Sequence, residues 1–214
     1  MGAKTWMLVY SKGEPKTILR GAPRLDRDAT IALTGQLFSS EKLQLLGDVD
    51  LSFTCPPDDE IVVGCYPGLV VVAAKEFGIE YPSRLPPKFI KAFSDGVLYL
   101  HAMHSVVDWL AFSMWSNGTL QRSLSLSPDS GILEDIGARL PFEAPYWAAD
   151  HPAIDPNEDE TDYPFAFHPL ELGEAALQEF FGYQLEGILS PSQIEPEQIP
   201  LMRFKRRKVW WRFG

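Results

Sequence analysis

Asn117-Gly118 constrains this chain more than any other pair of residues. It stands between WLAFSMWS and TLQRSLSLS, two runs of strand length. A two-residue type I′ turn needs positive φ at both central positions, and asparagine followed by glycine tolerates this best. A hairpin is expected, with Ser116 opposite Thr119. Paired positions then sum to a constant, so Trp115 meets Leu120, Ser113 meets Arg122, Ala111 meets Leu124 and Trp109 meets Leu126. Cross-strand partners share a face, which makes this surface mostly apolar. The other surface sets Asp108, Leu110, Phe112 and Met114 against Ser127, Ser125, Ser123 and Gln121. The first strand is apolar on both sides and reads as interior. The second carries a row of hydroxyls expected to be open to solvent, or to a ligand, because antiparallel sheets often have one wet side.

Around this hairpin the chain alternates short apolar runs with turns. Thr5 to Ser11 reads as a strand ended by Lys12-Gly13-Glu14-Pro15. Asp26 is placed to cap a helix through Phe38, with Ala29, Leu33 and Leu37 on its inner side. Leu45 to Cys55 is expected to add a strand. Ile61 to Ala74 is either a second hairpin or one bent strand, since Pro67 disfavours an uninterrupted central strand. Pro87 to Phe93 has the pattern of a short helix, and Val97 to Met103 that of a strand. Leu140 to Trp147 is aromatic but broken by Pro141 and Pro145, which suggests an irregular strap. Asp150 to Asp162 is an acidic surface loop. Pro169 opens a helix that ends at Gly182 or Gly187, with Leu170, Leu177, Phe180 and Phe181 reaching the core.

These elements predict an α+β fold with a largely antiparallel sheet, containing the Asn-Gly hairpin and covered by about three helices. The expected division is one domain over residues 1–187, followed by a proline-containing linker and a basic, aromatic C-terminal arm over 188–214.

With 214 residues, 45% of them hydrophobic, the chain is long enough to bury a substantial core. No apolar run approaches the roughly 18 residues of a membrane helix. The opening MGAKTWMLVYSKGEP lacks the apolar region and small-residue cleavage site of a secretory signal, so a cytoplasmic location is expected. In a reducing compartment Cys55 and Cys65 are expected as free thiols. The net charge of −10 opposes general nucleic-acid binding.

Few motifs carry chemistry. His101, His104 and Asp108, with Ser125, Ser127 and Asp129, form the best catalytic constellation, because a histidine near a hydroxyl can act as its base while a carboxylate orients the ring. The serines lie on a regular strand, however, with neither a nucleophile elbow nor an oxyanion hole. A metal site is not expected: His101 and His104 are three apart on a strand and point to opposite faces. Asp155, Asn157 and Asp159 match the start of a calcium loop, but Glu160 and Ala166 break it. No cofactor fingerprint is present.

The sharpest anomaly is the C-terminal run. Arg203 to Arg212 holds six basic residues and no acid, and subtracting them from −10 leaves −16 on the rest. Arg203, Lys205, Arg206, Arg207, Lys208, Trp210, Trp211 and Arg212 are therefore candidate partner-binding residues, for an acidic protein, nucleic acid or an anionic membrane. Alternatively the arm lies against the acidic loop, or serves as an edge strand.

The blocks MGAKTWMLVYS, PPDDEIVVGCYPGL, YPSRLP, YLHAMHSVVDW, NGTLQRSLSLSPDSGILEDIG, LPFEAPYWAADHP and FHPLELGEAAL together resemble an uncharacterised family of bacterial proteins, a domain of unknown function. The likeness covers residues 1–187 and implies a stand-alone bacterial cytoplasmic protein, without assigning catalytic residues. The strand–NG–strand block also looks like a hairpin of some bacterial immunity-type domains. The leading expectation is a non-catalytic binding protein with a protein partner. The alternatives are a small hydrolase or ligand-binding enzyme using the His101, His104 and Asp108 region, and tail-mediated association with nucleic acid or membrane.

Overall fold

The computed structural model describes residues 3–154, 163–186 and 193–207, and its nine strands form one sheet. In chain order the elements are β1 (Lys4–Ser11), α1 (Pro15–Arg20), α2 (Arg27–Leu37), β2 (Lys42–Asp50), β3 (Glu60–Tyr66) and β4 (Leu69–Ala74). Then come α3 (Pro87–Ala92), β5 (Val97–His104), β6 (Trp109–Ser116), β7 (Thr119–Ser127), β8 (Gly131–Ile136), α4 (Ala144–Trp147), α5 (Pro169–Phe181) and β9 (Pro200–Arg207). The strand order is β2-β9-β3-β4-β1-β5-β6-β7-β8, and every neighbouring pair is antiparallel. The fold is α+β, with short helices beyond the expected three at Pro15 and at Ala144.

The sheet is the middle of three layers. One face packs Met7, Val9, Val71, Phe112 and Leu124 under α5, with Leu19 of α1 beside them. The other packs Trp6, Leu8, Leu100, Ala102 and Trp115 under Phe38 and Phe89 of the α2–α3 side. Strands covered on both sides need apolar residues at consecutive positions, and the fully buried β3 (EIVVGCY) has them.

This layering overturns the expected wet serine face. Ser123 and Ser125 are completely buried and Ser127 nearly so. β6 and β7 pair through Ser116–Thr119 and Trp115–Leu120, with φ of 49° at Asn117 and 76° at Gly118. There the register slips. Met114 lies opposite Arg122, Ser113 opposite Ser123 and Ala111 opposite Ser125, so Gln121 is an extra residue, a β-bulge. One added residue moves every later side chain to the other face. The serines join the Trp109 side, the leucines join Phe112, and Arg122 turns into the core.

Buried Arg122 is matched there. Its Nε donates to Glu143 Oε1 at 2.9 Å and its Nη2 to Glu143 Oε2 at 2.7 Å, while Nη1 donates to Asp135 and to the Ile136 carbonyl. Arg122 and Glu143 are both fully buried, and Glu143 also accepts the Leu140 N–H at 2.8 Å. The segment expected as a strap, Leu140 to Trp147, is thus a 3-10 turn and α4, held by this pair.

Other boundaries differ for local reasons. The second strand is Lys42–Asp50 and not 45–55. Ile61 to Ala74 is a hairpin that turns at Pro67-Gly68. In α2 the buried residues are Thr30, Thr34 and Leu37, while Ala29 is exposed. The helix is rotated because Thr30 Oγ1 accepts the Cys65 backbone N–H at 3.0 Å, tying α2 to β3.

The C-terminal region is the largest correction. Residues 200–207 are no loose arm: β9 runs between β2 and β3, inside the sheet.

Candidate functional site

Three clefts gather at one end of the sheet, around the β5–β6 turn. The turn residues are Ser105-Val106-Val107-Asp108, with Asp108 at φ 45°, a positive value uncommon for a residue with a side chain. Val106 is 73% exposed and Val107 46%, the only adjacent pair of exposed large apolar residues besides Leu45-Leu46 among the described residues. The pair forms a crest. Val107 walls a cleft of about 460 Å³, and Ser105 and Val106 wall a second of about 590 Å³. Asp108 Oδ2 lies 3.6 Å from Nε2 of His168, which lines a third of about 570 Å³.

The first cleft has an aromatic floor. Trp6 stacks on His104 with ring centres 5.6 Å apart and meets Trp109 at 6.0 Å, while Lys75 Nζ sits 4.8 Å from the Trp6 ring. Its walls bring Glu80, Ser127 and Asp129 together. His104 Nδ1 accepts the Val106 N–H at 3.3 Å, so any ring hydrogen of the neutral form is on Nε2. Burial, then the charges of Lys4 and Lys75, hold its pKa below the ordinary value. Trp109 Nε1 donates to Ser125 Oγ at 3.1 Å, fixing the indole. Ser127 Oγ accepts the Ser130 N–H at 3.2 Å, closing the β7–β8 turn.

The second cleft lies between the start of β1 and the segments around Phe53 and Leu185. Cys55 lines it and Cys65 is buried elsewhere; both are free thiols, pushed up in pKa chiefly by burial. The third cleft is polar, with His151, His168, Glu171 and Glu174 among its walls. His168 caps α5, its Nδ1 accepting the Leu170 N–H at 3.3 Å, so its other nitrogen faces Asp108. Glu174 is 8% exposed; burial pushes its pKa up to about 7 although it accepts the N–H groups of Leu185 and Glu186.

The six residues expected to form a catalytic set are dispersed. His104, Ser127 and Asp129 share the first cleft. Asp108 turns toward the third, and Ser125 is consumed beneath Trp109. His101 lies on the opposite sheet face, completely buried. Its Nε2 is 3.0 Å from the Gly173 carbonyl, which can only accept, so Nε2 carries the hydrogen and Nδ1 faces Thr5 Oγ1 at 3.2 Å. Burial holds its pKa down to about 4. His101 is a strut between β5 and α5, and Gly173 allows that approach: a Cβ there would fall 2.7 Å from Met103 Sδ.

The expected partner-binding basics divide similarly. Arg203 pairs with buried Glu60, Lys205 with Asp59 at 2.9 Å, and Arg206 with Glu41 at 3.0 Å and with Glu76. Arg207 donates to Gln44. The charges of Arg203, Lys205 and Arg206 are thus answered by acids from other parts of the chain. Lys208, Trp210, Trp211 and Arg212 lie outside the described residues, as does the acidic stretch 155–162 proposed to face them.

No three or more His, Cys, Asp or Glu among the described residues are placed to hold a metal ion, and no described helix is long and apolar enough to cross a membrane. Sequence reasoning missed the Val106-Val107 crest, whose signal was two adjacent β-branched apolar residues in a turn, and missed Trp6 as part of the cleft floor.

Comparison with curated proteins and with solved structures gives no significant match. The model of one family, described as a family of unknown function (DUF6928), matches residues 5–204, nearly the whole chain, and the protein therefore belongs to that family.

Proposed function

We propose that this is a non-catalytic, cytoplasmic binding protein that engages a protein partner through the end of the sheet built around Val106 and Val107. The observation that carries this reading is the crest: two exposed valines on a turn held at positive φ, between clefts that can receive a partner's side chains. Apolar residues at the centre of a patch with charged groups at its rim make the usual anatomy of a recognition surface. Lys4, Glu80, Asp108 and Asp129 supply that rim. The β6–β7 unit's likeness to a hairpin of immunity-type domains fits a protein partner, by analogy of fold alone.

The test is affinity capture with the wild-type chain and with Val106→Asp/Val107→Asp. The wild type is expected to retain a discrete partner and the double variant to lose it while melting at the same temperature. Equal capture by both forms sinks the reading.

A hydrolase is the second reading, favoured by one observation: His104, Ser127 and Asp129 line the same cleft. Against it, His104 and Ser127 spend their acceptor atoms on the N–H groups of Val106 and Ser130. An activated-phosphonate probe separates the two. Labelling of Ser127 that disappears in His104→Ala supports the enzyme, and no labelling supports the binding protein.

A further inference from the structure

The sheet has two edges, β2 and β8, and each carries exposed apolar side chains: Leu45 and Leu46 on β2, Ile132 and Ile136 on β8. An edge strand offers a row of unpaired backbone N–H and C=O groups to another chain. Charge distinguishes the two. β8 reads GILEDI, with both acids near its middle. Paired antiparallel with a second β8 in full overlap, it would set Glu134 beside Leu133 and Asp135 beside Ile132, crowding four acids at the seam with no cation on either strand to answer them. β2 reads KLQLLGDVD, with a cation at its start, leucines at its centre and acids at its end.

We infer that two copies of the protein associate through their β2 edges, joining their sheets across a two-fold axis. An isologous contact requires a surface complementary to itself, and β2 has that property. Antiparallel pairing places the Lys42 end of each strand beside the Asp48–Asp50 end of the other and brings the leucines together. Among the described residues Lys42 has no ion-pair partner, and Arg207, beside it in the register, adds a second cation to that end. The rotation of α2 extends the apolar area. Arg27 reaches Asp48 at 2.7 Å, and Ile31, one turn further along the same side of the helix, is 49% exposed. The contact is separate from the Val106–Val107 crest, because four strands lie between β2 and β5.

Sedimentation velocity of the full chain over a wide range of concentration tests this. The wild type is expected to reach twice the 24.0 kDa chain mass. Leu45→Lys/Leu46→Lys, which sets four added cations against one another in the pair, is expected to stay at one chain mass with an unchanged circular dichroism spectrum. Ile132→Lys on the other edge is expected to leave the association intact. Hydrogen exchange supplies a readout that needs no variant: backbone amides of residues 42–50 should exchange more slowly as wild-type concentration rises. A wild type that remains at one chain mass throughout overturns the inference. So does a dimer abolished by Ile132→Lys, or one whose residue 42–50 amides exchange at a rate independent of concentration.

Discussion

His101 and Glu174 both sit where α5 meets the sheet, and they respond to pH in opposite directions. His101 has its pKa lowered from 6.5 to about 4 by burial. Between those values the unfolded chain binds the extra proton, so this residue makes stability fall as pH drops from 6.5 toward 4. Glu174 has its pKa raised from 4.5 to about 7, again chiefly by burial. Here the folded chain binds the extra proton, so this residue makes stability fall as pH rises from 4.5 toward 7. The two slopes offset one another over their shared window. Denaturant midpoints measured against pH should therefore diverge in the variants. Relative to the wild type, Glu174→Gln gains most toward pH 7, and His101→Gln loses least toward pH 4. Parallel curves for all three proteins would mean that neither group is titrating as described. Arg122 and Glu143 offer a second residue-scale test. Glu143→Gln leaves the fully buried guanidinium with Asp135 as its only charged partner, and losing one charged, two-point hydrogen-bonding partner of this kind costs about 2 kcal/mol. A urea melt that moves by less than a third of that would contradict the pairing. None of these roles was legible in the sequence. A histidine in HAMH or an arginine in LQRSL has the same letters whether it faces water or the core, and only the second layer of helices decides.

At the scale of elements, the sequence was most informative where backbone chemistry is local. Pro169 and Gly182 mark α5, whose last residue is Phe181 and whose Gly182 has φ 82° and donates to the Leu177 and Gln178 carbonyls. Asp26 caps α2 through the Ala29 N–H at 2.9 Å. Reading failed where a distant contact chooses between near-equal alternatives. The β6–β7 register depended on Gln121, which no turn rule identifies. What holds the bulge is β8's exit: Gly137, at φ 82°, passes so close that an added Cβ would lie 2.0 Å from the Gln121 carbonyl oxygen. Deleting Gln121 removes the extra residue, so Arg122 follows Leu120 directly and keeps its place opposite Met114, facing Glu143. The expected outcome is a folded variant that loses less stability than Glu143→Gln, since the buried charge keeps its partners. A deletion variant less stable than Glu143→Gln, measured by urea denaturation, would contradict this register. Gly137→Ala should destabilise the same junction, by contact and by its backbone angle.

The whole molecule departs most from the sequence's apparent division. A run of prolines and then a block of cations looks like a linker and an arm, yet β9 is the strand that connects β2 to the rest of the sheet. Composition misled because the acids that answer Arg203, Lys205 and Arg206 are Glu60, Asp59, Glu41 and Glu76, far away in the chain. Truncation after Ile199 should therefore uncover β3 and cut β2 loose, giving an aggregating or unfolded product by circular dichroism and light scattering. A truncated chain that stays folded with the wild-type melting point would contradict the interior placement of β9. The same layering buries both sheet faces, while the loops around the β5–β6 turn gather three clefts, and the function proposed here rests on that surface. The most direct measurement places a photo-crosslinking residue at position 106, with position 20 on α1 as the control, in the full chain expressed in its native cell. The binding account predicts a discrete protein adduct from position 106 and none from position 20. No adduct from position 106, or the same adducts from both, would contradict it.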